Sequence, residues 1–206
     1  MFGLFKNKKK ELAKEIFGVF KPKIQVANKL GEWNGNLSFG DAFISDDYLL
    51  GFLNSYIAFA CREFGYTGQD SGLIILDVYE LLDKTFSETQ KQQQFLEITQ
   101  KAKMKESKDL ILGQDNGLMF FLVVTNNNDT HKFSKDQIYK EAYKYFETGN
   151  FKKRNDWAKK NMPELLVDGD KMSEAPSSIV IAYRIFENTF EKRLNKVFKI
   201  KGMNVR

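Results

Sequence analysis

A single histidine, a single cysteine and several grouped carboxylates are the residues of this 206-residue chain whose types could do chemistry. His131 lies in TNNNDTHKF, two residues after Asp129, and an imidazole beside a carboxylate is the pairing a general base uses. The stretch is polar, so the expectation for His131 is a solvated loop side chain. Cys61 sits between Ala60 and Arg62 in the most apolar helical segment, where cysteine serves as a small core residue rather than a thiolate nucleophile. No catalytic residue is therefore assigned, and an enzyme with a carboxylate or Cys/His site stands as an alternative function.

One histidine and one cysteine exclude multi-histidine and cysteine-based zinc centres, and HExxH is absent. Among the acids, Asp46 and Asp47 are adjacent and Asp77, Glu80 and Asp83 follow an i, i+3, i+6 row. Such groups can gather around a divalent cation, but no loop has calcium-site spacing and no ExxH pair exists. Dipole complementation and a solvated helix face account for them. Neither GxGxxG nor GxxxxGK[ST] occurs, so the sequence predicts no metal and no cofactor.

Binding is better represented than catalysis. The formal net charge of +5 is unevenly spread: residues 1–21 carry six lysines against Glu11 and Glu15, and residues 192–206 carry six basic residues and no acid. Residues 41–97 hold ten acids against Arg62, Lys84 and Lys91. This acidic block, with Asp77, Glu80 and Asp83 at its centre, predicts a surface that receives another protein of basic character. It would also face the chain's own basic ends.

The opening MFGLFKNKKKELAKEIFGVFK suggests a second partner, an anionic membrane surface. On a helix, Phe5, Leu12, Ile16 and Phe20 share a face, with Phe2 leading it, while Lys8, Lys9 and Lys10 supply charge for headgroups. The competing expectation is that this face docks on the domain. For nucleic acid, the best stretch is FKKRNDWAKK, where Lys152, Lys153 and Arg154 accompany Trp157. The acidic block argues against a polyanion, so nucleic acid is not the expected partner.

The elements that must position these groups read as helices. Ser45 caps SDDYLLGFLNSYIAFACREF, apolar almost all round and hence central, with Gly65 as its stop. GLIILDVYELLDKTF follows, with Ile74, Val78, Leu81 and Leu82 on one face. Gly113 and Gly117 are four apart in an apolar segment broken by Gln114, Asp115 and Asn116, which excludes a membrane-dimer motif. A buried helix or two short elements is expected there. Ser134 begins a helix that stops near Gly149, and a long helix runs from Ser177 or Ser178 to about Ile200.

The sequence thus predicts a mainly all-α, single-domain bundle of about six to eight helices, with residues 1–21 as a basic N-terminal helix and 22–206 as the domain. The alternative is α+β with a small sheet, because IILDVY, LMFFLVV and SSIVIAY are rich in β-branched and aromatic residues. No apolar run can span a bilayer, and lysines from Lys6 onward break the run a signal peptide needs. The cytoplasm, with association at the inner face of the membrane as the alternative, is the expected compartment.

Overall fold

The computed structural model describes residues 2–32, 38–87, 107–148 and 177–200, with 93, 96, 97 and 100 between them; residues 2–7, 85, 87, 128 and 177 contribute backbone alone. Among the described residues there are helices and no strand. The three segments with sheet-like composition lie within helices: IILDVY in α4 (Gln69–Leu82), LMFFLVV in α5 (Lys108–Val124) and SSIVIAY in α7 (Ser177–Phe186).

The chain divides into two compact units, Met1–Leu118 with Phe190–Arg206, and Met119–Thr189. In the first unit, α1 (Phe2–Leu30) holds the basic stretch and continues through Pro22. A proline inside a helix costs about 3 kcal/mol. Burial of Ile16 and Phe20 before it and Ile24 and Ala27 after it outweighs that, at roughly 1.5–3 kcal/mol for each large side chain.

Phe20 stands at the centre of this unit, edge-on to Tyr56 (5.0 Å), Phe190 (5.1 Å) and Phe52 (6.3 Å). Tyr56 and Phe52 come from α3 (Asp47–Glu63), the central helix expected from its composition. α3 is capped by Asp46 rather than Ser45, because Ser45 closes the preceding short helix α2 (Phe39–Ile44). Phe39 of α2 stacks on Phe198 at 4.7 Å.

Gly113 and Gly117 have a steric purpose. A Cβ at Gly113 would strike the Tyr48 carbonyl and lie 3.0 Å from the Phe52 nitrogen; one at Gly117 would strike the Phe52 carbonyl. Gly51 meets Leu110 in the same way from the α3 side. The expected buried helix is thus a single element, α5, seated backbone to backbone on α3. Asn116, between the glycines, donates from Nδ2 to the Tyr48 hydroxyl at 2.9 Å, which satisfies a buried amide.

In the second unit, α6 (Gln137–Glu147) packs on α7. Its cap is Asp136, which accepts from Ile138 and Tyr139, and not Ser134, whose backbone belongs to the end of the preceding 3₁₀ turn Asn128–Phe133. Phe120 meets Phe186 at 5.1 Å, and the Arg184 guanidinium lies 4.9 Å from the Tyr145 ring centre. α7 continues through a π turn, Glu187–Glu191, into α8 (Lys192–Val197).

Candidate functional site

The N-terminal helix presents its apolar face to protein. Leu12, Ile16 and Phe20 are buried, and α1 lies along α4. Lys9 pairs with Asp70, Lys8 and Lys10 are exposed, and the Phe2 and Phe5 side chains lie outside the described residues. Exposing Leu12, Ile16 and Phe20 to lipid would require undocking α1. No helix among the described residues is long and apolar enough to cross a membrane.

The acidic row is divided by its surroundings. Asp83 accepts a hydrogen bond from the Gly40 N–H at 3.0 Å and so serves the N-terminus of α2. Asp77 and Glu80 line a shallow cleft of about 410 Å³ together with Lys10, Lys14 and Lys84. Lysines of α1 and carboxylates of α4 therefore face each other, with Lys9 paired to Asp70.

Asp46 is likewise engaged. Its carboxylate accepts from the Leu49 N–H at 2.9 Å and from Arg193 Nε at 2.9 Å, and the same guanidinium reaches Asp109 at 2.7 Å. These carboxylates hold the Arg193 proton more firmly than usual. Asp47 accepts from the Ser107 hydroxyl at 2.6 Å. The N-termini of α3 and α5 are thereby stapled to α8, and no group of three or more metal-ligating side chains occurs among the described residues.

Cys61 is buried, and burial pushes its thiol above the ordinary value, while a bond to Ser71 opposes the shift. That is the opposite of a reactive thiolate. Cys61 belongs to the first unit and His131 to the second. His131 is exposed on the 3₁₀ turn, where Lys132 bonds Asp129 at 2.6 Å and holds that carboxyl below its usual range. Lys152, Lys153, Arg154 and Trp157 lie outside the described residues.

The residue patterns did not single out a further concavity, which lies in the first unit. α3, α4 and α5 wall an open cleft of about 750 Å³, lined by Ala58 and Phe59, by Leu73 and Leu76, and by Leu110 and Leu118. Leu73 is 46% exposed, and Leu96 at the margin is 54% exposed. Asn54, Gln69 and Gln114 add polar groups, and Asp115 is the one charged side chain among the described lining residues. The signal was present in α4: Ile74, Val78 and Leu82 supply its core face, which leaves Leu73 and Leu76 as apolar residues on another.

Fold and cleft together define an all-α chain of closely seated helices with an apolar surface cleft. No protein-family model matches the chain, nor does any curated protein or any solved structure.

Proposed function

We propose that this chain is a helical protein-interaction module of the cytoplasm, and that its docking surface is the apolar cleft between α3, α4 and α5. The observation that carries this reading is the exposure of both Leu73 and Leu96 in the lining of a cleft walled by aliphatic and aromatic groups. Apolar side chains gathered at a concavity favour burial of a partner's apolar residues at roughly 25 cal/mol per Å². The acidic row contributes less than its composition suggests, because Asp83 is held by α2 and Asp77 and Glu80 face lysines. The membrane alternative has less support, since the apolar face of α1 is already buried.

The test is site-specific photo-cross-linking in cells. A photoreactive residue at position 73 should capture a defined protein, whereas the same residue at exposed Lys29 on α1 should not. Equal capture from both positions, or none from position 73, would refute the reading.

A further inference from the structure

Among the described residues, no contact requires glycine at position 72. It lies inside α4, its backbone is outside the left-handed region, and a Cβ built there meets no described residue within 4 Å. Gly51, Gly113 and Gly117 differ, since each abuts a backbone carbonyl. An interior helix glycine costs about 1 kcal/mol relative to alanine. The described contacts would therefore accept almost any other residue at position 72, and Gly72 itself lines the cleft.

The cleft also has an electrostatic sign. Of the carboxylates on its three walls, Asp77 and Glu80 face the lysines of the other cleft and Asp47 is held by Ser107. Arg193 engages Asp109 and Lys9 engages Asp70, but Asp115 lines the cleft itself and Glu97 is exposed beside Leu96. Such a field favours a cationic partner and disfavours an anionic one. The α5 wall from Leu110 to Leu118 is about 12 Å long at 1.5 Å per residue, which accommodates two turns of a helix.

Building on the interaction-module reading, we infer that the occupant is an amphipathic helix with apolar anchors and lysine or arginine on its flanks, making its closest approach at Gly72. Helix-in-groove recognition places anchors at i, i+3, i+4 and i+7 on such a surface. Removal of the side chain at residue 72 lets the incoming helix sit lower between Leu73 and Leu76. Its basic flank then faces Asp115 and Glu97.

Selection from a displayed library of helical peptides against the full-length chain tests this. Enriched peptides should carry helically spaced apolar anchors and an excess of lysine and arginine. Their affinity should fall at least about tenfold in Gly72→Leu, while the thermal midpoint of that variant stays level or rises; Gly72→Ala provides a smaller step in the same direction. Peptides without a basic excess, or peptides that bind Gly72→Leu as they bind the parent, would overturn the inference. If such peptides were still lost in Leu73→Asp, the cleft would remain a docking surface and only this occupant would be wrong. Absence of any enriched helix, binding of a fluorescent fatty acid at the cleft in its place, or a dimer by light scattering that Gly72→Leu dissolves would also overturn it.

Discussion

Arg193 reaches Asp46 with two nitrogens, Nε at 2.9 Å and Nη2 at 2.8 Å, while Asp46 also caps α3 through the Leu49 amide. A cap contributes about 1 kcal/mol and a hydrogen bond to a charged group about 1.5–3 kcal/mol. Asp46→Ala should lower stability by about 3 kcal/mol, and Asp46→Asn, which keeps the capping oxygen, by roughly half as much. Urea unfolding midpoints at constant slope measure both.

Two glycine substitutions should act with opposite sign. Gly113→Ala forces a methyl against the Tyr48 carbonyl and the Phe52 backbone, and should cost about 3 kcal/mol or prevent folding. Gly18→Ala, at an exposed position of α1 with no described residue within 4 Å of its Cβ, should add about 0.5–1 kcal/mol. Thermal unfolding followed by circular dichroism separates the two.

Alkaline stability should be limited by buried hydroxyls and the thiol. Burial pushes the Tyr56 phenol up to about 12, and it raises Tyr79 and Cys61 as well. Each group holds its proton more tightly folded than unfolded. Their contribution is therefore intact below their ordinary values and is lost as pH rises from about 9 through 12. Unfolding free energy should fall over that range, and Tyr56→Phe should flatten the profile between pH 10 and 12.

Asp83→Ala should lower stability by about 1–2 kcal/mol by leaving the Gly40 amide without its acceptor. Glu80→Gln, at an exposed position, should change it by less than about 0.5 kcal/mol. Denaturant titration of the two variants tests this difference, which matters because neutralising the whole acidic row would confuse lost folding with lost binding.

Helix type and the central place of α3 were legible because apolar spacing is a local property. Boundaries were less so. Ser45 and Asp46 are both good caps, and only the termination of α2 at Ser45 decides between them. Continuation of α1 through Pro22 was not legible because the compensating burial of Ile24 and Ala27 depends on distant residues. The pairing of Asp46 with Arg193 spans 147 positions, and the α3–α4–α5 cleft depends on three helices meeting. Neither leaves a local pattern. The facing of α1 lysines and α4 carboxylates was foreseeable from charge alone, although its cost to the acidic row as a docking surface was not.

Phe186, Phe190, Leu194 and Phe198 recur every fourth residue, and all are buried. On an ordinary α-helix each such step overshoots a full turn by about 40°, so the row would spiral around the rod. The π turn Glu187–Glu191 winds more slowly and takes up part of that drift, as a vernier absorbs a mismatch between two scales. Removing one residue between Phe190 and Arg193 would turn Arg193 about 100° relative to Phe190, which packs on Phe20 and Phe52. At this point in the chain the number of residues, more than their identity, decides whether the guanidinium arrives at Asp46.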